Sequence, residues 1–382
     1  MLRALKYLLS SRARRDLVSL LYHWMHPAPD ILFVAGSQVD LQWIIPAYEA
    51  AAKQGLQCAF AGPGLTVPQG AAYYDISMHV LRFFRTSVFV TATSGLASAR
   101  MPKRCARRVA IPHSLVSLHM AYPAGTFDGY TDIFCCGEHH YAEVEAMNRH
   151  DGITGRRPVL IGYGKYERLA ATRPDSSIAG SSQKHVLIGP SWGQGNILET
   201  MGTELLARLL TEGYRVTLRP HPSFFMYGNA QVTPLLETFR DHPAFTLENS
   251  LEESIALWTA DTMIADYSGL SLEFAFIRER PVLYVDVPPK MLNPGWRELA
   301  HEPLEFLVRE HIGIIVSPTV DAATTGLRQL EQDTARWTDS IRFARERYWV
   351  NFGRFGEVCA EELAYILAET QQVREQTIKK AF

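Results

Sequence analysis

The sequence predicts an α/β protein with two Rossmann-like, doubly wound domains that face each other across a cleft. The chain has 382 residues, more than the roughly 100–200 residues of one typical domain. Short apolar runs recur roughly every 25 residues with helical or loop-like segments between them, as expected for parallel βαβ units. A polar stretch, ATRPDSSIAGSSQ, separates one group of six runs from a second group.

The apolar runs predict the strands of each domain. The first six strands begin at Ile31 (ILFVAGS), Gln57 (QCAFAG), Ser87 (SVFVTAT), Arg107 (RRVAIPH), Asp132 (DIFCCG) and Pro158 (PVLIGYG). The next six begin at His185 (HVLIGPS), Arg215 (RVTLRPH), Phe245 (FTLEN), Thr262 (TMIADYS), Pro281 (PVLYVDV) and Gly313 (GIIVS). Amphipathic helices from Gln38 to Gln54 and around Leu198 to Leu210 each follow a strand closely, which fits doubly wound packing. We therefore predict domains at residues 1–170 and 184–345, followed by a C-terminal helical segment at 346–382.

Composition excludes several classes of protein. With 47% hydrophobic and 20% charged residues, the chain is typical of soluble globular proteins. A net charge of −2 gives no general attraction to nucleic acid, so we expect no such partner. Cys58, Cys105, Cys135, Cys136 and Cys359 lack metal-ligand spacing and are interpreted as buried reduced thiols. No apolar stretch approaches the ~18–20 residues of a membrane span, which predicts a cytoplasmic location.

The N-terminal segment, MLRALKYLLSSRARRDLVSLLYHWMH, predicts a basic amphipathic helix. Its leucines fall at helical spacing (Leu2, Leu5, Leu8, Leu9, Leu17, Leu20 and Leu21), with Arg3, Lys6, Arg12, Arg14 and Arg15 among them. The favoured interpretation is a helix that packs on its own domain and leaves a basic face in solvent. The alternative is a helix that lies on an anionic membrane surface.

Residues that could bind a ligand cluster just after the predicted strands. In open α/β sheets, ligands bind beyond the carboxyl ends of the strands. Those ends are rich in His, Ser, Gly and Arg: Gly36-Ser37-Gln38, Thr93-Ser94-Gly95, Pro112-His113-Ser114, Gly137-Glu138-His139, Gly162-Tyr163-Gly164, Pro190-Ser191-Trp192-Gly193, Arg219-Pro220-His221-Pro222 and Asp266-Tyr267-Ser268-Gly269. Backbone amides at a helix start bind phosphate oxygens, and Arg or His adds charge. The pattern predicts a nucleotide diphosphate donor.

Several of these motifs occur in an order that resembles a known family. LRPHPSF from Leu218, followed by ADTMIADYSGLSLEFAFIRERPVLYVDVP from Ala260, resembles the R-x-H-P and D-Y-S-S segments of the CDP-glycerol glycerophosphotransferase family of teichoic-acid and capsule polymer synthesis. RVAIPHSL, LIGYGKYERL and LIGPSWGQG resemble its H-G-T, G-Y-P-R and A-P-T-W segments, and YWVNFGRFGEVCAEEL resembles its closing segment. The similarity extends over roughly residues 85–365, in the order and spacing of these motifs.

The resemblance implies a GT-B-type fold and a transferase. Such an enzyme moves a glycerol-phosphate-type group from a CDP-linked donor, CDP-glycerol or CDP-ribitol, to a hydroxyl of a cell-surface glycan or lipid-linked acceptor, and releases CMP. It would work in the cytoplasm, at the inner face of the plasma membrane. The sequence departs from the family pattern at Ser114, Leu115, Gly164, Lys165 and Gly269, and Gly193 follows the A-P-T-W tryptophan in place of an arginine. The resemblance therefore implies displacement at a CMP-bearing donor more firmly than a particular acceptor.

The resemblance and the chemistry together give the two histidines different roles. An acceptor hydroxyl that attacks phosphorus needs a base with a pKa near 7, and His113 aligns with the family's catalytic histidine. Ser114 follows it and is a weaker candidate. His221 lies between two prolines that stiffen its backbone. We expect His221 to stabilise the donor phosphates, with Arg219 compensating charge on the leaving nucleotide.

Other residues of the second domain are expected to hold the nucleotide. Ser268 and Gly269 stand where a strand turns into a helix and can donate to a pyrophosphate. Glu273 is expected to accept the ribose hydroxyls, or else to complement the helix dipole. Asp266 is expected to cap the helix rather than to do chemistry. Ser191 and Trp192 follow the first strand of this domain and complete the expected donor site.

Two further expectations concern cofactors and alternatives. No D-x-D triplet occurs in the chain, which predicts catalysis without a metal ion or other cofactor. The runner-up function is a GT-B glycosyltransferase that uses a CMP-sugar of the sialic acid or Kdo type, with Asp128 of the Phe127-Asp128-Gly129 loop as base; that loop is also a common turn. The third alternative is a nucleotide-binding module without catalytic activity.

Overall fold

The computed structural model describes residues 10–171, 173–174, 183–227, 232–250, 254–299 and 301–381, and these form two compact units. The first unit comprises Met1–His113, Tyr122–Glu167 and Val350–Phe382. The second unit comprises Ser114–Ala121 and Arg168–Trp349. The division differs from the predicted boundaries at 346–382, because the C-terminal helix belongs to the first unit. It differs also at Ser114–Ala121, which the prediction assigned to the first domain.

The strands are short and nearly all apolar, as expected for parallel sheets covered on both faces. The first sheet contains β1 (Ile31–Val34), β2 (Cys58–Gly62), β3 (Tyr73–Asp75), β4 (Val88–Thr91), β5 (Arg107–Ala110), β6 (Asp132–Cys135) and β7 (Arg157–Leu160). The second sheet contains β8 (His185–Gly189), β9 (Arg215–Leu218), β10 (Phe245–Leu247), β11 (Thr262–Ala265), β12 (Val282–Val285) and β13 (Gly313–Val316).

Helices connect most of the strands. They are α1 (Ser11–Met25), α2 (Gln38–Lys53), α3 (Leu118–Ala121), α4 (Glu138–Asp151), α5 (Lys165–Ala171), α6 (Ile197–Thr211), α7 (Ser223–Tyr227), α8 (Val232–Phe239), α9 (Ile255–Thr259), α10 (Gly269–Arg278), α11 (Leu304–Leu307), α12 (Arg309–Ile312), α13 (Val320–Gln332), α14 (Thr338–Tyr348) and α15 (Phe355–Ala381). The predicted helices over 38–54 and 198–210 correspond to α2 and α6.

The sheet of the first unit has the order β3-β2-β1-β4-β5-β6-β7, and all its neighbouring strands are parallel. Chain order reverses between β1 and β4, so the ends of these strands form the topological switch point. The prediction missed β3. This edge strand has only three residues, of which Tyr74 alone is buried, and so it lacks the apolar run that marks the other strands.

The sheet of the second unit has the order β10-β9-β8-β11-β12-β13 and is also parallel throughout. All six of its strands were predicted. Chain order reverses between β8 and β11, where Met263 lies beside Leu187 on one side and Val282 on the other. The two sheets with their alternating helices confirm the predicted fold class of two Rossmann-like domains.

The C-terminal helix α15 packs on α2 of the first unit. A Cβ atom on Gly356 would lie 2.9 Å from the carbonyl oxygen of Pro46. Only glycine therefore permits this close approach without displacing backbone. Cys359 and Leu363 on α15 are fully buried, so the helix completes the core of a unit whose strands lie between Ile31 and Leu160.

Of the five cysteines, three are buried as predicted, Cys135, Cys136 and Cys359. Cys58 and Cys105 are only half-buried, so the prediction was wrong for these two. All five are free thiols. Burial raises the pKa of Cys58 to about 12, which keeps this thiol protonated and unreactive at neutral pH.

Helix α1 packs on the first unit through polar residues. Asp16 accepts a 2.7 Å hydrogen bond from the backbone N–H of Ser77, and Nε2 of His23 accepts a 2.8 Å bond from the backbone N–H of Arg85. Burial, aided by the charge of Arg85, lowers the pKa of His23 to about 4, so the ring is a neutral acceptor. Arg12 also binds Asp75 at 2.7 Å.

The apolar side of α1 consequently faces outward. Leu17, Leu21 and Met25 are 58%, 51% and 72% exposed. The helix thus packs on its own unit with exposed basic residues, as the favoured interpretation expected, but these apolar residues are exposed as well. Arg85 and Arg104 lie over the ring of Trp24 at 4.2 and 5.2 Å. We call this region the α1 surface; its exposed residues are Leu17, Val18, Leu21, Tyr22, Trp24, Met25, Arg82, Phe83, Lys103 and Arg104. Leu2, Leu5, Leu8, Leu9, Arg3 and Lys6 lie outside the described residues.

Across the part of the chain that the structure describes, no helix combines the length and apolar character needed to cross a membrane.

A buried carboxylate organises the strand starts of the first unit. Asp132, at the beginning of β6, is fully buried and lies 2.7 Å from Arg157 on β7 and 2.9 Å from Nε of Arg107 on β5. Thr131 donates a further bond at 2.6 Å. Burial alone would raise the pKa of Asp132, but these donors hold the pKa below its usual value. The ion pairs thus cross-link three neighbouring strands.

We predict that Asp132→Asn destabilises the protein by on the order of 2–3 kcal/mol, because it removes the buried carboxylate that Arg107 and Arg157 share and leaves each with only a partly exposed glutamate, Glu369 or Glu362. Urea denaturation followed by circular dichroism and tryptophan fluorescence measures this free energy. The matched control is Glu145→Gln, which removes an exposed ion pair with Arg149 at 3.5 Å and should cost less than about 0.5 kcal/mol. Equal effects of the two substitutions would contradict the structural role of Asp132.

The effect of Asp132→Asn should also depend on pH. The lowered pKa of Asp132 in the folded state means that its stabilisation is complete above the unfolded pKa of about 3.9. That stabilisation is lost as the pH falls through the folded pKa. The difference in unfolding free energy between the parent and Asp132→Asn should therefore stay constant at neutral pH and shrink on acidification.

Candidate functional site

The candidate site of the first unit is a recess at the ends of β4 and β5, next to the topological switch point. It is a small cavity of about 20 Å³ and is lined by His113, Tyr122 and residues of the two strand ends. The ring of His113 is half-buried. Its Nδ1 atom lies 3.2 Å from the hydroxyl of Tyr122, and its backbone carbonyl accepts a 3.0 Å hydrogen bond from the hydroxyl of Tyr163. The predicted strand-end histidine is therefore held in a concave, partly aromatic environment.

The contact with Tyr122 decides which nitrogen of His113 can act as a base. When Nδ1 carries the hydrogen and donates it to the tyrosine oxygen, Nε2 keeps its lone pair and can accept a proton from a substrate. When the tyrosine hydroxyl donates instead, Nε2 carries the hydrogen and cannot act as a base. Tyr163 was predicted only as part of the strand end Gly162-Tyr163-Gly164, without a role. Tyr122 was not predicted, since an isolated tyrosine gives no recognisable motif.

Asp128, the alternative base, directly follows Phe127, which lines this recess. It is exposed, in a turn where its N–H donates to the carbonyl of Gly125 at 3.0 Å. A second carboxylate contacts another residue of the lining. Asp40 on α2 accepts a 3.0 Å hydrogen bond from Thr93, which lines the recess. Burial raises the pKa of Asp40 against hydrogen bonds from Thr93 and Ser37, so Asp40 is a second candidate proton acceptor that the prediction missed.

The segment directly after His113 belongs to the second unit. Within Ser114–Ala121, the N–H of Ser117 donates to Glu305 at 3.0 Å, and the carbonyl of His119 accepts a 2.9 Å bond from Asn293. Ser114 approaches the start of α10, where a Cβ atom on Gly269 would lie 2.5 Å from its hydroxyl oxygen. The predicted candidates Ser114 and Gly269 are thus in contact, and glycine at 269 makes the approach possible.

In the second unit, a buried carboxylate organises the switch point. Asp266 follows β11 and is fully buried. It accepts a 2.6 Å hydrogen bond from the backbone N–H of Ser191 after β8 and a 3.1 Å bond from the N–H of Ile197, the first residue of α6. Burial raises its pKa against these bonds. Asp266 was predicted to cap the helix that follows it in the chain, α10. It does accept a hydrogen bond at the start of a helix, but that helix is α6.

Three side chains from three strand ends stack at this edge. Trp192 follows β8, and its ring stacks on that of His221 after β9 with centroids 5.9 Å apart and an interplanar angle of 29°. The ammonium of Lys290, which follows β12, lies 3.4 Å from the centroid of the Trp192 ring. Burial lowers the pKa of Lys290 to about 7, although the charge of Asp266 acts in the opposite direction. The structure brings the predicted Trp192 and His221 together and adds Lys290, which no motif indicated.

The tautomer of His221 differs from the one that His113 needs as a base. Nδ1 of His221 accepts a 3.1 Å hydrogen bond from the backbone N–H of Ser223. The neutral ring therefore carries its hydrogen on Nε2, which makes that nitrogen a donor. A donor suits an anionic oxygen, in agreement with the expected role of His221.

Arg219 has its charge compensated within the protein. Its guanidinium donates to Glu248 at 3.0 Å and to the carbonyl of Ser250 at 2.8 Å. Glu248 in turn accepts a 3.1 Å bond from the N–H of Ala256 at the start of α9. A phosphate at Arg219 would have to share the guanidinium with Glu248. The bonds of Arg219 to Glu248 and Ser250 position the segment after β10.

The remaining predicted residues, Ser268, Gly269 and Glu273, lie at or near the start of α10. Ser268 precedes the helix, and its side chain makes no capping hydrogen bond. The amides of Gly269 and Leu270 precede the first hydrogen bond of this ten-residue helix, and the N–H of Ser271 donates to the carbonyl of Ser268 at 3.0 Å. Glu273 lies on the second turn and is 5% exposed. These residues stand at the end of β11, beside the strand ends that carry Trp192 and Lys290.

No cluster of three or more His, Cys, Asp or Glu side chains suited to a metal ion occurs within the described ranges.

Comparison with solved structures shows the fold. The UDP-GlcNAc 2-epimerase from Neisseria meningitidis bound to UDP-GlcNAc aligns with a TM-score of 0.59 and 11% identity, over 88% of this chain and 99% of that chain. The UDP-GlcNAc 2-epimerase from Methanocaldococcus jannaschii in complex with UDP-GlcNAc and UDP gives 0.54 and 12%, over 82% and 98%. A glycosyltransferase from Rickettsia africae gives 0.54 and 10%, over 91% and 99%. No family model matches the sequence, and no curated protein matches it.

These similarities define the class of fold and leave the family open. The chain has the GT-B-type fold, with two Rossmann-like units, that nucleotide-sugar epimerases and glycosyltransferases share. None of the three structures is a CDP-glycerol glycerophosphotransferase. Membership of that family is therefore a proposal that rests on the sequence motifs.

We predict that Asp266→Asn destabilises the protein by about 1–3 kcal/mol, because one carbonyl oxygen cannot replace two acceptors and a buried N–H loses its partner. Urea denaturation measures the loss. Hydrogen exchange should also become faster at Ser191 and Ile197. Asp241→Asn is the control, since that side chain is 96% exposed and its change should have no effect. Unaltered exchange at both amides would contradict the role of Asp266.

Proposed function

We propose that the protein is a transferase that moves a polyol-phosphate group from a CDP-linked donor to a hydroxyl of a cell-surface glycan or lipid-linked acceptor, with release of CMP. The observation that carries the proposal is the pair of strand-end histidines whose neighbours suit opposite roles. His113 can accept a proton when it donates to Tyr122, and His221 has its donor nitrogen set by Ser223. The fold supports a nucleotide-linked donor, and the motifs around His113, His221 and Asp266 support CMP as the leaving group.

The proposed reaction is a displacement at phosphorus. The acceptor hydroxyl oxygen attacks the phosphorus of the polyol phosphate while His113 takes the hydroxyl proton. The bond from that phosphorus to the bridging oxygen breaks, and CMP leaves with the electron pair. His221, the amides at Gly269 and the hydroxyl of Ser268 stabilise the charge on the phosphates. Glu273 is proposed to accept hydrogen bonds from the ribose hydroxyls. The proposed reaction proceeds without a metal ion.

The CMP-sugar alternative remains a second candidate because of Asp40. A sugar transfer of this kind uses a carboxylate as base; Asp128 follows Phe127 of the recess lining, and Asp40 is a further carboxylate beside it. Asp40 hydrogen-bonds Thr93 at its rim, and burial raises the pKa of Asp40 toward the range of a general base. Asp40 also lies on the first turn of α2, where its backbone N–H bonds the hydroxyl of Ser37 at 3.2 Å, which is an ordinary capping arrangement.

We predict that His113→Ala lowers kcat for CMP release by on the order of 10²–10⁴ and leaves donor binding nearly unchanged, since a base acts in the transition state. His221→Ala should weaken donor binding as well as turnover. Steady-state CMP release from CDP-glycerol, CDP-ribitol and CMP-sugars, in saturating EDTA and without added metal, measures the first effect. Calorimetric titration of CMP into each variant measures the second.

Asp40→Asn and Tyr122→Phe separate the alternatives in the same assay. A large loss with Asp40→Asn, together with near-full activity of His113→Ala, would transfer the proposal to a CMP-sugar reaction. Tyr122→Phe should lower kcat by about tenfold and change its pH profile, because the phenol orients the ring that titrates. Activity that EDTA abolishes and Mg²⁺ restores would overturn metal-independent transfer, and CMP binding without turnover of any donor would favour the non-catalytic alternative.

We also propose that the α1 surface binds an anionic membrane, which would place the protein at the inner face of the plasma membrane, where a lipid-linked acceptor lies. An apolar helix face with Trp and Tyr beside arginines is the composition that interfacial helices show. The cations around this face, Arg82, Lys103 and Arg104, fit negatively charged headgroups. Arg12 and Arg15 bind Asp75, so they hold the helix in place.

We predict that the double substitution Arg82→Glu and Arg104→Glu reduces binding to vesicles of phosphatidylcholine and phosphatidylglycerol by at least about tenfold, since each cation near the surface contributes ~1 kcal/mol. Leu17→Gln with Leu21→Gln should reduce it also. Co-sedimentation measures both, and Arg149→Glu on the exposed face of α4 is the control. A dimer in light scattering that the leucine substitutions dissociate would show instead that this face binds a second copy.

A further inference from the structure

Lys290 lies against an aromatic ring of the second unit, with its ammonium 3.4 Å from the centroid of the Trp192 ring. The buried carboxylate of Asp266 acts on this ammonium through its charge. By comparison, Lys184 in the same unit forms an ion pair with Glu331 at 2.6 Å. A contact with the face of a ring involves no hydrogen-bond acceptor, so the ammonium can still donate to an anionic oxygen.

The loop that carries Lys290 has a restricted backbone conformation. Pro288 and Pro289 precede the lysine, and each proline fixes its backbone φ angle. Pro288 packs against the loop after β8, where a Cβ atom on Gly195 would be 3.7 Å from its ring. The side chain of Lys290 extends to Trp192 in the same loop after β8. The ammonium is therefore placed by packing, before any ligand arrives.

The position is one where an anion is expected. Strand ends of β9, β8, β11 and β12, which are neighbours in the sheet, carry His221, Trp192, Ser268 and Lys290 in turn. Chain order reverses between the middle two strands, which is the place where open α/β sheets bind ligands. The donor nitrogen of His221 and the amides at the start of α10 point to the same kind of ligand, an anionic oxygen.

We propose that Lys290 is the cation that pairs with the diphosphate of the donor, and that it takes up a proton as the diphosphate binds. The proposal rests on the proposed function for the identity of the donor as a nucleoside diphosphate compound. Because burial brings the pKa of Lys290 to about 7, a large share of the molecules carry a neutral amine at pH 8 before binding. An anion beside the amine favours its charged form and raises the pKa, so binding draws a proton from the buffer.

Proton uptake gives the inference a measurement that a merely structural lysine would not change. Calorimetric titration of CDP and UDP at pH 8 in two buffers of different ionisation enthalpy counts the protons taken up. We expect an uptake approaching one proton per nucleotide for the parent protein. Affinity should fall as the pH rises above 7, since an increasing fraction of the amine must be protonated at the expense of binding free energy.

Three variants complete the test. Lys290→Met keeps the apolar contact with Trp192 and should weaken binding of CDP, UDP and inorganic pyrophosphate by about tenfold to a hundredfold, with no proton uptake. Lys290→Arg should keep most of the affinity but take up no proton, because arginine is always charged. Lys184→Met is the matched control and should match the parent in both measurements.

The outcomes separate this inference from the proposed function. Nucleotide binding with the same affinity and proton uptake in Lys290→Met would overturn the role of Lys290 and leave the transferase proposal intact. Binding of pyrophosphate that depends on Lys290, without binding of either nucleotide, would support the anion site and count against the nucleotide-linked donor. Failure of all three anions to bind the parent protein would overturn both.

Discussion

The second unit depends on one buried carboxylate. Asp266 joins the end of β11 to the segment between β8 and α6, because its two oxygens accept the N–H groups of Ser191 and Ile197. Desolvation of a charge is costly, and charge-assisted bonds to backbone amides are among the few interactions strong enough to offset it. Trp192 lies between the two bonded amides in the chain, so its ring, and through it His221 and Lys290, are placed relative to this carboxylate.

The two histidines illustrate how neighbours assign chemistry to identical side chains. A backbone N–H fixes Nδ1 of His221 as an acceptor and leaves Nε2 with the hydrogen. The partner of His113 is a hydroxyl, which can donate or accept, so its ring can present a lone pair on Nε2. In the proposed transfer, His221 would be the donor to the phosphates and His113 the base.

Helix α1 shows why amphipathic periodicity alone does not decide which face is buried. The leucine spacing predicted a helix that packs on its own domain and leaves a basic face in solvent. The helix does pack there, but Asp16 and His23 are the residues that it buries. Each pairs with a backbone N–H that would otherwise lack an acceptor, those of Ser77 and Arg85. Burying a polar group is acceptable when it satisfies another, and the apolar face is then available for a partner outside the chain.

By itself the sequence determined the strands, the parallel sheets and the strand-end histidines, because apolar runs and their spacing are local features. All but one of the thirteen strands follow from that pattern, and β3 was missed because it is short and mostly polar. Only the tertiary structure decided that Ser114–Ala121 belongs to the second unit and the C-terminal helix to the first. It also decided that Trp192, His221 and Lys290 lie together. These contacts join residues as far apart in the chain as Ser117 and Glu305 or Pro46 and Gly356. Their geometry arises from sheet order and loop packing, which no local pattern of residues encodes.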